Sequence, residues 1–160
     1  LLAMKHDARV TTLQYIKGIT QEELDWQPFK GWNTVGALLA HIIAGEKYFR
    51  IVFIEGRELN EQESKEILPG LDLGEYVDSL KGKPLNYYLE QLETEYNESR
   101  KMIKNIDAAG FVKRRFEHYD KVRGEDWAWI LYHDVEDEVH HRGQISIIRK
   151  LYKEMKGKQQ

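Results

Sequence analysis

The segment Trp127-Ala128-Trp129-Ile130-Leu131-Tyr132-His133-Asp134-Val135-Glu136-Asp137-Glu138-Val139-His140-His141-Arg142-Gly143-Gln144-Ile145-Ser146-Ile147-Ile148-Arg149 carries apolar residues at helical spacing. Trp127, Ile130, Leu131, Ile145, Ile148 and Tyr152 draw one stripe along a helix of more than twenty residues. The middle of that stripe holds Asp134, Asp137, Glu138 and His141 instead of apolar side chains. Carboxylates and imidazole on a core-facing stripe are costly unless something satisfies them, and a metal ion is the simplest satisfier. Asp137 and His141 stand at i, i+4, one turn apart on one face, so both can reach one cation.

Working outward, the 160 residues suit one domain spanning 1–160, and 41% hydrophobic content is enough for a core. The net charge of −3 opposes nucleic acid as the main partner, since phosphate binding needs a basic face. There are no cysteines, hence no disulfide, thiolate ligand or cysteine nucleophile. No secretory leader is visible, and the apolar run from Val35 to Gly45 is far short of a membrane span. A soluble cytoplasmic protein is the expectation.

From the N-terminus, Met4 to Gly18 reads as a first helix with Val10, Leu13, Tyr15 and Ile16 on its apolar side. Thr20 and Glu23 have capping-box spacing before a short helical turn. Asn33 or Thr34 caps a second long helix running to about Glu55, stopped by Gly56, with a stripe of Val35, Leu38, Leu39, Ile42, Phe49, Val52 and Phe53. The polar connection from Gly56 to Pro84, with short helices near Glu61–Ile67 and Leu73–Leu80, suggests a crossover rather than a hairpin. Its acidic residues read as solvated surface. Pro84 opens a third helix to about Ile106, Phe111 to Tyr119 reads as extended, and Glu125 and Asp126 open the fourth helix. The pattern predicts an all-α four-helix bundle with a long crossover between helices 2 and 3.

Of the six histidines, His6 and His118 have no partner at ligand spacing, and His140 points about a third of a turn away from His141. His133 lies roughly 12 Å along the helix axis from His141, so it can pair with Asp137 or line a pocket but not share an ion with His141. His41 is centred on the buried face of the second helix. On its own it reads as a core histidine bonded to a backbone carbonyl; beside Asp137 and His141 it completes a set of two imidazoles and one carboxylate. That set suits one divalent ion, Zn, Ni, Mn or Fe(II), and leaves coordination positions open. Glu138-Val139-His140-His141 contains the Glu-x-x-His of di-iron bundles, but no second copy exists.

His140-His141-Arg142-Gly143-Gln144-Ile145, at the end of a Trp-rich last helix, resembles the signature of the DinB/YfiT-like helical bundles. Leu38-Leu39-Ala40-His41-Ile42, Ile19 to Asp25 and Trp32-Asn33-Thr34 are similar to the same family. The resemblance implies an up-down-down-up bundle, often a homodimer, holding a divalent metal with three histidines. Here the ligand positions are His41, Asp137 and His141; the aspartate departs from the family's usual middle histidine. It either keeps the ion with a harder metal preference or marks a site that has lost it. Some members resemble thiol transferases that act on small thiols such as bacillithiol or mycothiol.

Two functions follow as expectations. One is a metal-dependent enzyme acting on a small-molecule substrate, a thiol S-transferase or a hydrolase, with His133, Tyr48 and Trp129 lining the pocket and no catalytic residue assigned. The other is a stress-associated dimeric binding or scaffold protein with a structural or lost metal. Neither involves a membrane, and DNA binding is the weakest alternative.

Overall fold

A computed structural model describes residues 2–105 and 127–157, so the expected extended segment, His118 and the start of the last helix fall outside the described residues. Every element described is helical, and no strand occurs among these residues.

Helix α1 spans Leu2–Ile16, and Gly18 with φ +70° ends it where a side chain would be strained. Helix α2, Gln21–Asp25, is capped by Thr20, whose hydroxyl accepts from Glu23 N at 3.2 Å. The Glu23 carboxylate does not complete a capping box; it takes Arg149 of the last helix at 2.6 Å instead. Helix α3, Val35–Tyr48, starts at Thr34, which accepts from Ala37 N at 3.0 Å. It widens into a π-helical segment, Phe49–Ile54, closed by Gly56 at φ +70°.

Helix α4, Glu61–Asp72, starts on a complete capping box between Asn60 and Glu63 and runs past Pro69, longer than its polar sequence suggested. A 3-10 segment, Gly74–Leu80, leads to α5, Leu85–Lys104, and the last helix, α6, spans Trp127–Gly157. The acidic residues of the crossover are surface groups as expected, several paired with Lys65, Arg57 and Lys47.

Neighbouring helices align in recognisable directions. Lys5 and Arg9 of α1 meet Asp134 and Glu138 of α6 in parallel order. On α3 and the π-helical segment that continues it, His41 and then Phe49 meet His141 and then His133 of α6, an antiparallel order. The main core gathers Ile16, Leu24, Leu38, Leu39, Ile42, Tyr88, Leu92, Ile145 and Ile148 between these helices. Among the described residues, no helix is long and apolar enough to cross a membrane.

The first helix corrects the sequence reading. Val10 and Tyr15 are exposed, whereas the buried face presents Lys5, Ala8, Arg9, Thr12 and Ile16. Two cations can occupy that face because carboxylates on α3 and α6 meet them there.

Candidate metal centre

His41 comes from the middle of α3; Asp137 and His141 come from adjacent turns of α6. Donor atoms of the three residues all lie within 4.8 Å of one another. Asp137 Oδ1 faces His141 Nε2 at 3.3 Å, and Oδ2 faces His41 Nε2 at 3.5 Å. The two imidazole rings meet edge to face with centroids 4.5 Å apart. The side chains are mostly shielded but not sealed: 17% exposed at His41, 25% at Asp137 and 10% at His141.

Each imidazole is held from behind. His41 Nδ1–H donates to the Gly70 carbonyl at 2.9 Å. That carbonyl belongs to the last turn of α4, where the helix has no amide left to satisfy it. Gly70 is required for the approach: a Cβ there would lie 2.7 Å from Ala44 Cβ and 3.0 Å from Ala40 O. His141 Nδ1–H donates to Gln144 Oε1 at 3.2 Å, and Gln144 Nε2 donates to His140 Nε2 at 2.8 Å. With both Nδ1 atoms occupied, each ring turns its Nε2 toward Asp137. Metal-binding histidines are oriented in this way. The reading of His41 as a core histidine bonded to a carbonyl is thus correct for one nitrogen and leaves the other for the cluster.

Without an ion, burial pushes the Asp137 carboxyl up, but the bonds from His141 and His41 hold it well below the usual carboxylate range. Burial lowers the His41 imidazole, while Asp137 and the Gly70 carbonyl raise it above its ordinary value overall. A carboxylate kept ionised between two imidazoles is the charge distribution a divalent cation would replace. The donor set, two neutral nitrogens and one anionic oxygen, fits such an ion.

The other carboxylates of the α6 stripe are not part of this cluster, which corrects the idea that one metal satisfies them all. Asp134 is bound by Lys5, and Glu138 by Arg9 at 3.0 and 3.2 Å. Lys5, Arg9 and their partner Glu46 were not singled out by the sequence reading. The signal was present as matched i, i+4 pairs of opposite sign, Lys5 with Arg9 and Asp134 with Glu138.

His133 does not join the ligand cluster. Its ring stacks on Trp129 at 4.9 Å and 14°, meets Phe49 edge-on at 5.8 Å, and its Nδ1 contacts Glu136 at 3.1 Å. Tyr48 packs against Phe49 and Phe53. The three expected pocket residues therefore share an aromatic cluster one to two turns from the cluster of donors. On its other side, Gln144, Ile147 and Ile148 border a cavity of about 350 Å³ with Gly31, Trp32 and Asn33.

A helical fold with a half-buried His/Asp/His donor cluster defines the class. The family model for mycothiol-S-transferases matches residues 1–154. The chain belongs to that DinB-like family. No curated protein matches the chain. The chain is similar to a crystal structure described as the conserved protein of locus from Enterococcus faecalis, at 15% identity and a TM-score of 0.72. The match covers 94% of this chain and 93% of that one, and supports the fold alone.

Proposed function

We propose that the chain is a metal-dependent thiol S-transferase whose ion is held by His41, Asp137 and His141. The convergence of three donor residues on one point carries this reading, and membership of the mycothiol-S-transferase family supports it. The Nε2 atoms of His41 and His141 and the Asp137 carboxylate are the ligands. Gly70 and Gln144 fix the tautomers. What a divalent cation supplies there is Lewis acidity, which keeps a bound thiol in its nucleophilic thiolate form. The substrate is a low-molecular-weight thiol of the mycothiol or bacillithiol type. Trp129, His133 and Tyr48 form one wall of its pocket.

The finer architecture belongs to the same proposal. A single domain folded as an up-down-down-up bundle, with the crossover between its second and third long helices, is supported by the parallel α1–α6 and antiparallel α3–α6 pairings. A homodimer is supported by Tyr132, Val139 and Ile147, exposed apolar residues seven and eight positions apart along α6.

The test is thioether formation by zinc-loaded protein from a low-molecular-weight thiol and an alkyl halide. The new S–C bond replaces the carbon–halogen bond, halide leaves and the thiol proton goes to solvent. Acceleration over the uncatalysed rate, lost in Asp137→Ala, supports the proposal. Zinc binding without acceleration for any thiol or electrophile favours a metal-stabilised, non-catalytic protein.

A further inference from the structure

Beside the donor cluster lies a second group of charges with no ligand role. Lys5, Arg9, Glu46 and Glu138 are all buried, at 3%, 4%, 2% and 2% exposure. The Arg9 guanidinium stands at the centre. Its Nε and one terminal nitrogen reach Glu138 at 3.0 and 3.2 Å, and that terminal nitrogen also reaches Glu46 at 2.7 Å. Its other terminal nitrogen donates to the Leu92 carbonyl of α5. Lys5 joins Asp134 to Glu46, lying 2.8 Å from Glu46 Oε1, an oxygen that has no hydrogen bond of proper geometry.

Buried ion networks are poor stabilisers. The desolvation of each charge offsets much of the mutual attraction, and apolar replacements are often neutral or better. Placement suggests another use. Glu46 is little more than one turn beyond His41 on α3, and Glu138 is the residue after Asp137 on α6. The planar fork of Arg9 therefore ties together the two helices that supply the donors, at fixed axial positions. Apolar packing tolerates sliding, whereas a fork bonded on both sides does not.

We propose that Arg9, clamped between Glu46 and Glu138, is a positioning residue that sets the register of α3 against α6 and so brings His41 onto Asp137 and His141. The assignment rests on the metal-site reading above. Outer groups that position ligands commonly contribute 10- to 100-fold to metal affinity.

The test measures Zn2+ affinity by chelator competition, alongside helix content and the melting temperature of the metal-free protein. Arg9→Met alone strands the buried Glu138 carboxylate, leaves Glu46 with Lys5 as its one cation, and is expected to unfold. The informative variant combines Arg9→Met, Glu46→Leu and Glu138→Leu, which removes the clamp and leaves Lys5 with Asp134. It is expected to fold with a melting temperature near or above the parent's and to bind Zn2+ at least tenfold more weakly. Zn2+ affinity within twofold of the parent overturns the proposal. So does failure of the triple variant to fold, because the network would then carry the fold and not the register. If the parent itself binds no Zn2+, the metal-site reading fails first and this proposal falls with it.

Discussion

The Gly70 carbonyl accepts a hydrogen bond from His41 Nδ1 at 2.9 Å, joining the C-terminal turn of one helix to the donor cluster of two others. The bond depends on the close approach of α4 to α3, which leaves no room for a side chain at position 70. Gly70→Ala is expected to lower stability by about 1–3 kcal/mol through overpacking against Ala44. By moving the carbonyl it should also weaken zinc binding. Thermal denaturation and chelator competition on one preparation check both effects; an unchanged zinc affinity would separate α4 from the site.

The aspartate at position 137 can be tested against the histidine expected by resemblance. Asp137→His keeps three donors and should retain one zinc per chain. Asp137→Asn keeps the size but loses the anionic donor and should bind more weakly by roughly tenfold or more. Isothermal titration of both variants decides. Equal binding by the asparagine variant and the parent would remove Asp137 from the ligand set.

Much of the donor cluster was legible in the sequence for a simple reason. An i, i+4 Asp–His pair on an apolar stripe has one face to occupy, and His41 was the histidine centred on another buried stripe. Thr34 and Gly56 likewise marked the ends of that helix by capping and turn chemistry. The cations of α1 were not legible in the same way. Lysine and arginine normally face water, so the burial of Lys5 and Arg9 depends on partners far along the chain. The π-helical segment was also hidden: no residue preference marks it, and Phe49 and Phe53 within it pack against α6. Gly70 lies in the crossover just past the short helix expected near Glu61–Ile67, yet it serves an approach between helices that no local pattern announces.

The buried network has two cations and three carboxylates. Burial holds the Asp134 carboxyl above its ordinary value despite Lys5, with Glu46 and Glu138 adding negative charge nearby. Glu46 goes the other way: burial raises it, but Lys5 and Arg9 together bring it below its ordinary value. Asp134 thus takes up a proton more readily than Glu46. A carboxyl whose folded-state pKa is raised favours folding below its unfolded pKa and loses that contribution as pH rises through the folded value. Asp134→Asn imitates the protonated form. Its melting temperature relative to the parent should therefore rise from pH 4 to pH 8. A difference that falls with pH would contradict the charge balance.

The exposed stripe of Tyr132, Val139 and Ile147 predicts association through α6. In sedimentation equilibrium the parent should run at twice the chain mass, and the Val139→Lys, Ile147→Lys double variant at the chain mass with unchanged helix content. Identical masses would place any interface elsewhere.

Metal content by mass spectrometry decides whether His41, Asp137 and His141 hold one divalent ion. Protein purified without an affinity tag should carry close to one Zn, Ni, Mn or Fe per chain, and His41→Ala, Asp137→Ala and His141→Ala should each lose it while keeping their helix content. No metal in the parent, even after incubation with each of these ions, would contradict the account.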